Sequence, residues 1–158
     1  MNIAEQQYKW VRQTREVLFD YCESLDPKDY VKQVAVFGFG SVRNIHVHVA
    51  DCYRFWLLGF AEGQTVEESP VHAYRTVAEV RALFAEADQV VEDFIARYGD
   101  AMHEVIIGHV GTDSKETSLS ALWLATHTMT HEFHHKGQIV SLTRHLGYAP
   151  PDTDLVIS

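Results

Sequence analysis

Cysteine, basic charge and long apolar runs are all scarce in this chain, and each scarcity closes off a class of protein. Of the 158 residues only Cys22 and Cys52 are cysteines, thirty positions apart. That spacing fits no C-x-x-C pair, so neither a redox couple nor a cysteine zinc site is indicated, and both thiols are expected reduced in the core. No apolar stretch approaches the roughly 20 residues that cross a bilayer, so no membrane partner is expected. Lys and Arg number 13 against 22 Asp and Glu, a formal charge of −9, and the bases are scattered. Such a surface repels phosphate, which argues against DNA or RNA as a partner. The stretch MNIAEQQYKW has neither a basic leader nor an apolar core followed by small residues, so a cytoplasmic protein is expected. Internal repeats and low-complexity tracts are also missing.

What is present fits one globular domain over residues 1–158. The composition, 46% hydrophobic and 22% charged, is ordinary for a soluble chain, and a domain of this size buries roughly two thirds of its unfolded surface. Four long segments with helical periodicity predict an all-α fold, a four-helix bundle. The first runs from about Ile3 to Leu25 and stops before Asp26-Pro27, because the residue before proline is pushed out of the helical region. After the linker DYVKQVAVFGFG, Ser41 is a plausible N-cap for a second helix reaching about Glu62 and Gly63. Thr76 and Glu79 form a capping-box pattern for the third, which ends near Tyr98-Gly99. The fourth spans about Ser118 to Leu146, with Gly147 and Pro150-Pro151 as stop signals. Between the last two lies HEVIIGHVGTDSKET, residues 103–117, where apolar residues and a Gly-Thr-Asp turn predict a short hairpin.

The segment THTMTHEFHHKGQIV, residues 126–140, holds four of the ten histidines. On a helix, positions 124, 127, 131, 135, 138, 142 and 145 share one face, reading Leu, His, His, His, Gln, Leu, His. A stripe meant only for packing would stay apolar, and each unpaired imidazole in a dry core costs roughly 1–3 kcal/mol. In the second helix His48 interrupts the stripe of Ile45, Val49, Cys52, Phe55, Trp56 and Gly59, whereas His46, about 200° around the helix, is expected to point outward. Histidines at i and i+4 reach one ion together, and an inward histidine from a neighbouring helix completes a set. His48, His131 and His135 are therefore the expected metal ligands, with His127 as a possible fourth or supporting group. A lone inward histidine is more often a hydrogen-bonded core residue, but three on one stripe answered by another helix outweigh that reading. His72, His103, His109, His134 and His145 are read as surface or loop residues.

His131-Glu132-Phe133-His134-His135 also spells H-E-x-x-H, the short zinc-peptidase signature with Glu132 as general base. The extended pattern needs Gly at 138 and His at 141, where Gln138 and Ser141 stand, and the 23 residues after His135 contain no Glu. A di-iron bundle requires a second Glu-x-x-His, and the chain has none.

SVRNIHVHVADCYRFWL and LWLATHTMTHEFHHKGQIVSLTRHLGYAPPDTDL resemble the DinB-like family, with its inward His before Ala-Asp and its later His-x-x-x-His-Lys/Arg-Gly-Gln run. The two stretches cover about a third of the chain. The resemblance implies a four-helix bundle, often a homodimer, with a three-histidine site for zinc or nickel mapping onto His48, His131 and His135. It also implies activities such as thiol-dependent S-transfer with bacillithiol, mycothiol or glutathione, and it does not imply DNA binding. The aromatic residues Tyr53, Phe55, Trp56 and Phe60 of the second helix add a little to the dimer expectation. Two alternative functions are expected. One is an enzyme that activates a low-molecular-weight thiol, or water, against a small-molecule electrophile, with Glu132 or Asp51 as an orienting or proton-accepting group. The other is a non-catalytic metal-binding bundle, with Asp51 simply paired to a base such as Arg54.

Overall fold

Each long helix begins where a side chain takes over backbone donors that the first turn leaves unpaired. A computed structural model describes residues 2–110 and 115–155. Helix α1 (Ile3–Glu23) opens with a capping box between Asn2 and Glu5, and a four-residue helix α2 (Pro27–Tyr30) comes after Asp26, with Pro27 in the first turn. Ser41 caps α3 (Val42–Arg54) by accepting from Asn44 N. Thr76 and Glu79 form the expected capping box of α4 (Val77–Tyr98). The last helix, α5 (Ala121–His145), starts later than the periodicity suggests. Residues Glu116–Ser120 pair instead as strand β2 with β1 (Val105–His109), in the antiparallel register Val105↔Ser120 to His109↔Glu116. The hairpin is as expected, while its Gly-Thr-Asp turn, at 111–113, lies outside the described residues.

The second helix differs from the expected continuous α-helix. After Arg54 the backbone passes into a π-helical stretch, Phe55–Phe60. A π turn inserts one residue per turn and shifts the register of the residues beyond it. Leu57 and Phe60 are buried, and Phe55 and Trp56 line a cavity beside the helix. The hairpin rests on this stretch through Gly108, where a Cβ would lie 2.5 Å from the Phe60 carbonyl oxygen. Of the four aromatics set beside a dimer, Tyr53 and Phe60 lie in the chain's own core, and Phe55 and Trp56 are half-buried.

Helix α3 packs on α4 along one side and on α5 along another, and α1 packs on the same two neighbours. That arrangement corrects the expected direction of His46. It is only 2% exposed, with its ring 5.1 Å from that of Phe19 and its Nδ1 3.1 Å from the Tyr30 hydroxyl. A helix enclosed on two sides has two inner faces, so the half turn separating His46 from His48 carries one into the core and the other into the groove facing α5.

The centre of the bundle holds a buried ion cluster to which every long helix contributes. Arg15 of α1 donates to both oxygens of Glu132 on α5, at 2.8 and 2.9 Å, and to Asp88 on α4. Tyr53 of α3 donates to Glu132 at 2.7 Å, and Tyr8 donates to Asp88. Burial disfavours the charged guanidinium, but the neighbouring Glu132, then Tyr8 and Asp88, outweigh it and hold the Arg15 pKa above its ordinary value. Removing one partner of such a pair strands the other charge without water. Arg15→Met is therefore expected to lower the unfolding free energy by about 3–5 kcal/mol. Urea denaturation followed by helical circular dichroism checks this, and a loss below about 1 kcal/mol would contradict a structural role for the cluster.

Candidate metal centre

Helix geometry brings three of the predicted residues together. His131 and His135 stand one turn apart on α5, and His48 reaches them from α3. The Nε2 of His131 lies 3.2 Å from that of His48 and 3.1 Å from that of His135, and one nitrogen from each of the three lies within 4.8 Å of the others. Tetrahedral coordination with metal–nitrogen bonds of about 2.0–2.1 Å places neighbouring ligand nitrogens about 3.3 Å apart. The two His131 spacings match this, and the three nitrogens form a group that could hold one ion.

Proton bookkeeping leads to the same place. The Oε1 of Gln138 lies 2.8 Å from Nδ1 of His135. An amide oxygen only accepts, so Nδ1 carries the proton and Nε2 turns a bare lone pair toward His131. Nε2 of His131 can offer either one hydrogen or one lone pair, yet it faces two nitrogens. A single proton cannot bridge both contacts, whereas a cation can accept all three lone pairs. The Gln138–His135 contact is also the usual supporting bond of a metal-bound histidine, fixing tautomer and ring direction. Nδ1 of His131 is buried without a partner among the described residues, so packing between its neighbours orients that ring.

Phe39 closes the site from the linker. Its ring stacks on His48 at 4.2 Å and meets His135 edge-on at 5.2 Å. Gly40, at φ +79°, turns the chain there, and Asn44 Nδ2 donates to the Phe39 carbonyl at 2.8 Å.

The environment keeps the imidazoles neutral. Burial, then the nearby His135 and His48, lowers the His131 pKa to about 3. Burial chiefly lowers His135 to about 4, against the raising effect of Gln138. His48 is lowered by burial too, opposed by Asp51 and Glu68. Neutral imidazole is the ligand form, so the cluster is set for a cation heavier than a proton.

On the other side of His48 and His131 opens a cavity of about 220 Å³, also lined by Asp51, Cys52, Phe55, Trp56, Val66, Glu67 and Glu68. A larger groove, about 570 Å³, lies along α1 and α4 and is lined by Tyr8, Arg12 and Glu92 among others. It contains none of the histidines, so the smaller cavity is the one that bears on the chemistry.

The remaining predicted residues fall elsewhere. Asp51 lines the cavity, but its oxygens are engaged by Arg54 at 2.9 Å and by the hydroxyl and amide of Ser69 at 2.7 and 2.8 Å. Glu132, about 100° around α5 from His131, is buried in the ion cluster and outside the histidine group. His127 stacks on Trp123 at 4.7 Å, with its ring 5.8 Å from that of His131, and it too is outside the group. Sequence reasoning gave Gln138 a place on the histidine face without its role. Its i+3 spacing from His135 was the available signal. Phe39 carried none, because a loop residue has no periodicity to read.

Two measurements test the site. Alanine at His48, His131 or His135 is expected to abolish stoichiometric divalent metal, and Gln138→Leu to weaken it by about 10- to 100-fold. Full metal content in the His48 and His131 variants would refute the site. The metal-free protein is also expected to lose stability in acid. Folded His131 and His135 bind protons more weakly than their unfolded forms, whose pKa is about 6.5. Their stabilising contribution is thus complete above about pH 6.5 and is lost as pH falls toward the folded values of about 4 and 3. Urea midpoints between neutral pH and about pH 4.5 test it, and a flat profile would contradict the burial of neutral rings.

No curated protein matches the chain. A family description does: the model of the DinB family matches residues 1–158. The match takes in α3 with His48 and α5 with His131 and His135, so the three histidines and the bundle that gathers them lie within it, and the chain belongs to the DinB family.

Proposed function

We propose that the chain holds a divalent ion, zinc or nickel, on His48, His131 and His135, and that it transfers a low-molecular-weight thiol to an electrophilic small molecule. The observation that supports catalysis over a closed structural site is the cavity in whose wall His48 and His131 stand. A structural site is sealed by its ligands, whereas a catalytic one keeps a position open to substrate. When bound, such an ion supplies Lewis acidity that lets a thiol, or water, lose its proton near neutral pH.

The chain's own residues supply the rest. The three imidazoles give neutral donors, so the ion's positive charge is left for the thiol sulfur. Gln138 fixes the direction of His135, and Phe39 shields one side of His48 and His135. Phe55, Trp56 and Val66 give the cavity an apolar wall against which an electrophile can lie. In the transfer the sulfur–carbon bond forms as the bond from that carbon to its leaving group breaks, and the leaving group departs with the electron pair. The thiol proton leaves to water. Asp51 and Glu132, already committed to Ser69, Arg54, Arg15 and Tyr53, serve as positioning residues.

The same commitment weighs against a zinc peptidase, whose general base would be Glu132. The rival reading is a non-catalytic metal-binding bundle, and one experiment separates the two. Protein purified without chelator or affinity tag is analysed for metal, then assayed with a panel of thiols against alkyl halides and epoxides, with and without the ion. Metal-dependent thiol consumption is expected. Full metal occupancy with no acceleration for any thiol, or for water, would favour the non-catalytic bundle.

A further inference from the structure

Resting on the proposed thiol transfer, we infer that the cavity discriminates by charge: it admits thiols with a neutral or cationic tail and rejects those whose tail carries a carboxylate, through Glu67 and Glu68 at its rim. Three of the nine lining residues are acidic, and none is Lys or Arg. Asp51 is compensated by Arg54. Glu67 and Glu68 are exposed and have no ion-pair partner among the described residues.

The rim is held in place. Ser69 donates both its amide and its hydroxyl to Asp51, and Arg54 donates to the same hydroxyl at 3.1 Å, so the segment carrying the two carboxylates is tied to α3 beside His48. The rings of Phe55 and Trp56 line the same cavity. Their faces attract cations and repel anions, in the same sense as the carboxylates. A bound ion does not cancel this preference. Its charge acts on the sulfur, which every thiol shares, whereas the rim meets the part of the ligand that differs between them.

The probes are cysteamine, 2-mercaptoethanol and 3-mercaptopropionate, titrated calorimetrically into zinc-loaded protein near neutral pH at about 0.02 M and about 0.5 M salt. The three differ in intrinsic thiol acidity, so the informative quantity is the change in their affinity ratio between wild type and variant. The double variant Glu67→Gln/Glu68→Gln is expected to lower the cysteamine-to-mercaptopropionate ratio about tenfold at low salt, and high salt should remove most of the difference. Glu67→Lys/Glu68→Lys should move the ratio further in the same direction. These substitutions lie on an exposed segment, and circular dichroism confirms that the bundle is intact. Thiol binding with the same ratio in wild type and both variants overturns the charge filter and leaves thiol transfer standing. Absence of binding by all three thiols to fully loaded protein overturns both.

Discussion

One buried ion pair sets the geometry on which the rest of the molecule depends. Glu132 accepts from Arg15 with both oxygens and from Tyr53, and Arg15 continues to Asp88, so α1, α3, α4 and α5 meet at one carboxylate. A rotation of α5 about its axis would break these bonds and leave an uncompensated charge in the core. The rotation is therefore fixed, and with it the direction of the next-door His131 and of His135 one turn on. Buried pairs of this kind repay their desolvation poorly as stability. The cluster's contacts tie α1, α3, α4 and α5 together in the packing that brings His48 against His131.

Around that frame the site is built from two unlike halves. On one side Phe39 covers His48 and His135, and Gln138 fixes the His135 tautomer. On the other, the cavity reaches His48 and His131. Phe55 and Trp56, at the start of the π-helical stretch, stand in the wall of that cavity. Asp51, one turn before, ties Ser69 across the opening. A residue with acid–base chemistry thus acts as a clasp for the wall, which is why its carboxylate is not available as a base.

The histidines illustrate how burial keeps a titratable residue in the neutral form that a metal ion would need. Charge on each ring is disfavoured by lost water, and on His131 also by the neighbouring histidines, so the cluster remains a set of lone pairs over the range in which free histidine is partly protonated. His46 lies in the same helix and is held neutral by burial too, its pKa lowered to about 3. It faces Phe19, Phe84 and Tyr30, and among the described residues no second imidazole stands opposite. The difference between the clustered histidines and this core residue lies in what stands across the groove.

By itself the sequence determined the elements and the histidine triplet. Caps at Ser41 and Thr76, stops at Gly147 and the prolines, and the i, i+4 spacing of His131 and His135 are local features, and local rules of backbone bonding and helical periodicity suffice to read them. The hairpin before α5 was legible for the same reason, though not the point where β2 hands over to the helix at Ser120. Tertiary structure alone decided which way residues face once a helix is enclosed on two sides. Periodicity gives angles around one axis but not the positions of the neighbours, so His46 read as outward and Glu132 as a candidate base. The π turn, the place of Phe39 and the tether from Asp51 to Ser69 depend on contacts between segments far apart in the chain, and no spacing within one segment records them.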